Sequence, residues 1–183
     1  MTLPNLITLV RILLVPFFFT ALVSYEPGRE AYRWTAFIIF LVASLSDALD
    51  GILARVLNKH SQLGRFLDPL ADKLLMISGY LGLLYVRALP LTPPLWVTVT
   101  IVFRDIIIIG GLFILFLMTG DVRIQTNFLG KLTTLFQMVT LGAVLVQWRI
   151  AEILWYATAA LTIVSCLAYI VREIRLLNEQ GSK

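Results

Sequence analysis

Four aspartates fall within twenty-six residues of this chain: Asp47, Asp50, Asp68 and Asp72. Asp47, Asp50 and Ala54 are spaced i, i+3 and i+7, which is one face of a helix. Gly64, Asp68 and Asp72 are spaced i, i+4 and i+8, again one face. Between the two sets runs a polar segment containing Asn58, Lys59, His60, Ser61 and Gln62, long enough to turn the chain. Two antiparallel helices joined there would bring the four carboxylates together. Four close anions do not all stay ionised without cations. A set of oxygen ligands alone favours hard divalent ions, Mg²⁺ or Mn²⁺. Two such ions about 3.5–4 Å apart suit displacement at phosphorus, where they clamp the attacking and leaving oxygens.

The elements that hold these residues belong to a membrane. The chain has 183 residues, of which 59% are hydrophobic and 14% charged. Its mean hydropathy is +0.89. Soluble domains carry nearly twice that share of charge, and disordered chains carry little apolar surface. One cysteine, Cys166, excludes a disulfide scaffold. The length suits one domain, residues 1–183, and the composition predicts an all-α bundle of six transmembrane helices. The spans are expected at about 6–25, 32–56, 62–86, 94–118, 128–148 and 152–172. Length and chain breakers set them, because a segment that is apolar all round has no useful periodicity. No cleavable signal peptide is expected, since the N-terminus lacks a basic segment and a small-residue cleavage site.

The net charge of +4 has a topological reading. With both termini in the cytoplasm, Lys59, Arg123, Lys131, Arg172, Arg175 and Lys183 fall inside, and Arg55 and Arg65 at the same edge. Only Arg29, Arg33, Arg87 and Arg149 fall outside. No basic run or basic helix face suggests nucleic acid as a partner. Trp34, Trp96, Trp148 and Trp155 fall near the outer ends, as an interfacial aromatic belt would.

A lone carboxylate at membrane depth costs about 2.5–3.5 kcal/mol even on the lenient insertion scale. Besides metal binding, two readings account for the four. They could pair with Arg55, Arg65, Lys73 and Arg104, or they could relay protons or cations in a transporter. Gly51, Ala54 and Gly64 lie on the acidic faces; they permit close helix packing and leave room for a flat base and a diphosphate.

The pattern Asp47-x-x-Asp50-Gly51-x-x-Ala54-Arg55, eight residues, then Gly64-x-x-x-Asp68-x-x-x-Asp72 resembles the complete signature of the CDP-alcohol phosphotransferase family. The resemblance extends over nearly the whole chain. It implies attack by an acceptor hydroxyl on the β-phosphorus of a CDP-linked lipid, with CMP leaving. It implies that Asp47 and Asp68 touch both of two metal ions, Mg²⁺ or Mn²⁺. Asp50 would hold one ion; Asp72 would hold the other and act as general base. It implies that Gly51, Arg55 and Ser61 contact the CDP-lipid, with Ala54 and Gly64 in the same pocket. The opening Pro4-Asn5-x-x-Thr8-x-x-Arg11 resembles the family's N-terminal segment, which puts Asn5 and Thr8 near the nucleotide; the same residues also suit the start of a helix.

Which alcohol accepts the group is less legible. The opening Leu3–Ile12, the run Leu67–Lys73, and Gly130-Lys131-Leu132-Thr133-Thr134 with Gln137 resemble the phosphatidylglycerophosphate synthase branch. That branch implies CDP-diacylglycerol as donor and glycerol 3-phosphate as acceptor, in a bacterial inner membrane with the site facing the cytoplasm. A homodimer would resemble family behaviour. Arg104, Arg123 and Lys131 are cations available for an acceptor phosphate. Arg104-Asp105 departs from the Arg-Glu of that branch, and Gly110-Gly111 stands where a second arginine is usual. Arg-Asp resembles instead the cardiolipin synthases that use phosphatidylglycerol as acceptor.

Overall fold

The computed structural model describes residues 3–57, 62–86, 88–119 and 128–181, with side chains left out at 3–5, 47–66, 68, 112, 114–119 and 169–181. Among the described residues the protein is all-helical, with six helices: α1 Leu3–Val23, α2 Glu30–Leu57, α3 Gln62–Tyr85, α4 Leu95–Thr119, α5 Phe128–Val146 and α6 Ala151–Gly181. The breakers act where expected. Pro27 and Gly28 sit between α1 and α2, and Gly28 takes φ +89°, a left-handed conformation that costs glycine little. Pro93 and Pro94 precede α4. The largest difference is α6, which runs to Gly181 rather than stopping near 172. The segment after Val171 is charged but holds no proline or glycine before Gly181, so the helix outlasts its apolar stretch.

Among the described residues three helices are long and apolar enough to cross a membrane: Leu6–Val23, Phe128–Val146 and Ala151–Ala168. Large apolar side chains cover much of the outer surface of the described part. Phe17, Phe103, Phe128, Ile153 and Leu167 are all more than half exposed. The interior holds polar groups within its apolar core: Thr8, Arg11, Lys73, Arg104, Asp105 and Gln137 are buried. Charged groups kept inside and apolar side chains turned out is the arrangement that hydrocarbon solvent selects. Trp34, Trp96 and Trp148 are exposed, as belt residues should be. Trp155 is not: it is 6% exposed, and it lies in the core edge-on to Tyr156.

α3 touches α1, α2, α4 and α5, so it is the centre of the bundle. Its glycines let the neighbours in. A Cβ at Gly79 would stand 2.5 Å from Cδ2 of Leu141 and 3.2 Å from Phe18, both fully buried. Gly79→Val should therefore lower stability by about 1–3 kcal/mol through overpacking. Thermal unfolding in detergent reads this directly; an unchanged midpoint would contradict the packing.

The connections after α1, α3 and α5 gather at one end. Arg33, near the start of α2, donates to the Leu145 carbonyl at the end of α5 (2.9 Å). The Gln147 amide accepts from the Leu91 N–H (2.9 Å) and donates to the Leu91 carbonyl (3.1 Å). Gln147 has φ 62°, which turns the chain out of α5. An open cleft of about 740 Å³ lies among these loops, lined by Tyr25, Glu30, Arg33, Gln147, Arg149 and Glu152. There the Arg33 guanidinium, helped by the Tyr25 hydroxyl, holds the Glu30 carboxyl below its ordinary range. The same hydrogen bond to Glu30 pushes the Tyr25 hydroxyl up. Since α2 starts at this end and α3 finishes at it, the last turns of α2 and the first turns of α3 lie at the other.

Candidate active site at the far end of the bundle

The aspartates sit on those turns. Asp47 and Asp50 lie on α2, and Asp68 and Asp72 on α3, with residues 58–61 joining two helices that touch. Each pair is one turn apart on its own helix, as the spacing predicts. Side chains are described for only one of the four: Asp72 is half-buried. Gly51, Ala54 and Arg55 belong to the last turns of α2, and Gly64 to the first turn of α3; their side-chain surroundings lie outside the described residues, as do those of Asp47, Asp50 and Asp68. Ser61 and Arg123 lie outside them altogether. Among the described residues no group of three His, Cys, Asp or Glu comes together. The donor set itself fits a divalent ion: carboxylate oxygens alone, at helical spacing on two touching helices, are hard ligands for Mg²⁺ or Mn²⁺.

α1 packs against both α2 and α3. Thr8 and Arg11, three residues apart on one face, are 0% and 1% exposed. Asn5 is in the first turn of the same helix. Arg11 is the largest fully buried side chain described, and the sequence reading gave it no role. The spacing Asn5, Thr8, Arg11 at i, i+3 and i+6 was the available signal, because it marks a polar stripe on an otherwise apolar helix.

A second polar centre adjoins Asp72. The Lys73 ammonium donates to Oδ1 of Asp105 (3.0 Å) and to the Thr134 hydroxyl (3.2 Å). Nη1 of Arg104 donates to the same Asp105 oxygen (2.9 Å), and Nη2 to the Ser165 hydroxyl (3.2 Å). One carboxylate thus links α3 and α4, with α5 and α6 joined through hydroxyls. Asp105 is 0% exposed, Arg104 5% and Lys73 7%. Two cations face one anion. Gly130 on α5 lies close by, since a Cβ there would stand 3.6 Å from Nη2 of Arg104. Lys131, the next residue, is exposed.

Arg104, read from sequence as a candidate for an acceptor phosphate, is held by an ion pair with adjacent Asp105 and a hydrogen bond to Ser165. Lys73, a possible partner of the four aspartates by sequence, reaches Asp105 on α4 and Thr134 on α5. Its partner could not be read from spacing, because it comes from another helix. Asp105→Ala would strand Lys73 and Arg104 with no carboxylate between them. Breaking a buried pair this way costs about 3–5 kcal/mol. The thermal midpoint of Asp105→Ala in detergent should fall accordingly, and Asp105→Asn, which keeps an acceptor, should lose less. A wild-type midpoint in Asp105→Ala would mean that the node bears no weight.

The sequence pattern of the family described as CDP-alcohol phosphatidyltransferase matches residues 1–164, most of the chain. The chain belongs to that family. Similar relatives span its branches. A CDP-diacylglycerol--glycerol-3-phosphate 3-phosphatidyltransferase of Bacillus subtilis (strain 168) is 33% identical, over 96% of this chain and 97% of the relative. A protein of the same name from Shigella flexneri serotype 5b is 34% identical, over 91% of this chain and 92% of the relative. A cardiolipin synthase (CMP-forming) of Streptomyces coelicolor is 36% identical over a shorter stretch, 73% of this chain and 60% of the relative. Within the matched range, Asp47 and Asp50 fall on α2 and Asp68 and Asp72 on α3.

Proposed function

We propose that this protein transfers a phosphatidyl group from CDP-diacylglycerol to glycerol 3-phosphate, releasing CMP, in phospholipid synthesis. The complete signature, carried on the last turns of α2 and the first turns of α3 within a chain of this family, is the observation behind the reading. The near full-length relatives named for glycerol 3-phosphate favour that acceptor.

Asp47, Asp50, Asp68 and Asp72 hold two divalent cations, Mg²⁺ or Mn²⁺. Bound there, the ions neutralise charge on the pyrophosphate and on the reacting oxygens. Asp72 takes the proton of the acceptor hydroxyl, which is a poor nucleophile until that proton has somewhere to go. The acceptor oxygen then forms its bond to the β-phosphorus while the bond to the CMP oxygen breaks. Arg55 steadies the pyrophosphate with a forked pair of donors. Gly51, Ala54 and Gly64 leave space for the nucleotide, with Ser61, Asn5 and Thr8 at its polar edge. Lys131, exposed at the start of α5, is placed to draw in the acceptor phosphate from solvent.

The chain crosses the membrane six times. α2, α3 and α4, with 28, 24 and 25 residues, join the three apolar helices as spans. At 1.5 Å per residue each exceeds the roughly 30 Å hydrocarbon core. The site end faces the cytoplasm of a bacterial inner membrane, where basic residues collect. The diacyl tails stay in the bilayer, so the site sits at the membrane edge.

Phosphatidylglycerol is the second acceptor to test, because Arg104-Asp105 and the Streptomyces coelicolor relative favour it. Purified protein given CDP-diacylglycerol, Mn²⁺ and each alcohol in turn separates the cases by CMP release and product lipid. Phosphatidylglycerophosphate is the expected product. Cardiolipin instead would move the chain to the other branch, and cation flux in proteoliposomes without CMP would make it a transporter.

A further inference from the structure

We infer that Lys73 is a positioning residue for the metal site: its bonds to Asp105 and Thr134 fix the rotation of α3 at the adjacent Asp72. This rests on the reading of Asp72 as a metal ligand.

The need for a clamp is visible in α3 itself. Pro69 lies inside the helix, between Asp68 and Asp72. A proline there removes a backbone hydrogen bond and pushes the preceding turn away, so the helix can bend at that point. The two α3 carboxylates thus stand on opposite sides of a weak point, yet both must meet the same ions.

Lys73 supplies a restraint from outside α3. Successive side chains on a helix are about 100° apart, so holding residue 73 sets the direction of residue 72. The ammonium is held from two other helices, by Asp105 on α4 at 3.0 Å and Thr134 on α5 at 3.2 Å. Asp105 is anchored in turn by Arg104, and Arg104 by Ser165 on α6. Buried ion pairs are often matched or bettered in stability by apolar side chains of the same size. The node is also not charge-balanced, since Asp105 would remain paired with Arg104 if Lys73 were neutral. Geometry is what the third charge provides.

The sign of one measurement separates this role from simple electrostatics. Lys73→Met removes a positive charge next to a cation site. Through charge alone, Mn²⁺ should then bind more tightly. Loss of positioning makes it bind more weakly. Mn²⁺ binding by electron paramagnetic resonance, on purified full-length protein, is expected to weaken about tenfold in Lys73→Met. Turnover should fall about a hundredfold, with KM for both substrates within threefold of wild type. Lys73→Arg, which keeps charge and donor, should restore most of both. Thr134→Val removes one restraint and no charge; it should weaken Mn²⁺ binding about threefold, and it serves if Lys73→Met does not fold. Unchanged or tighter Mn²⁺ binding in Lys73→Met, or in Thr134→Val should Lys73→Met not fold, overturns the inference. So does a higher acceptor KM at unchanged kcat, which would make Lys73 a substrate contact. Wild-type protein that binds no Mn²⁺ overturns the metal-ligand reading itself, and this inference with it.

Discussion

Asp72→Asn should abolish turnover while binding of CDP-diacylglycerol largely persists. The substitution keeps the size and one oxygen of the side chain but removes the charge and the basic site. General base catalysis contributes about 10²–10⁴-fold. Weaker hold on one ion adds to that, so the rate should fall by at least three orders of magnitude. On the proposed reading other parts bind the nucleotide and lipid: the α2 segment around Gly51 and Arg55, residues of α1, and the bilayer around the tails. Retained binding with lost turnover is thus the expected signature, read by a fluorescent CDP-lipid for binding and by CMP release for rate. Wild-type turnover in Asp72→Asn would remove the base assignment. Loss of binding equal to the loss of rate would make Asp72 part of the nucleotide pocket instead.

Chelation should have an effect of similar size and reach further. Removing the ions takes away several kcal/mol of charge stabilisation at phosphorus. Activity should fall at least a thousandfold with EDTA and return with Mn²⁺ or Mg²⁺. Calcium should restore far less, since it prefers more ligands at longer distances than this chemistry uses. Stability should follow the same course. Without cations, four carboxylates on two touching helices repel one another. A ligand bound only to the native state stabilises it by about 2.7 kcal/mol at a hundred times its dissociation constant. The thermal midpoint should therefore rise with added Mn²⁺ in wild type and much less in Asp68→Asn. Full activity after exhaustive chelation would rule out a metal-dependent transfer.

The candidate site can be proposed from the sequence because it lies along the chain. Asp47, Asp50, Asp68 and Asp72 declare their faces by spacing alone, and α3 and α5 begin where the sequence places them, at Gln62 and Phe128. What could not be read depends on how helices rotate against one another. In α4 nearly every face is apolar, so nothing in its sequence says that Asp105 points to Lys73 rather than to lipid. The pairing of Arg104 with the adjacent Asp105 is within reach of the sequence, but its hydrogen bond to Ser165, sixty-one positions away, is not. Trp155 looked like an interfacial residue because it follows a loop by few positions, but its side of α6 faces the core. The polar seam of α5 and α6 offered a clue. Thr133, Gln137 and Thr140 are spaced as one helix face, as are Thr158, Thr162 and Ser165, and Thr140 meets Thr158 at 2.7 Å. Such a stripe on an apolar helix marks the side turned to protein.

The gathering of four carboxylates around divalent ions is tested most directly by anomalous diffraction from crystals grown with Mn²⁺. The account predicts two Mn²⁺ peaks between the end of α2 and the start of α3, within bonding distance of Asp47, Asp50, Asp68 and Asp72. Crystals in which those side chains point apart and no anomalous peak lies among them would contradict it.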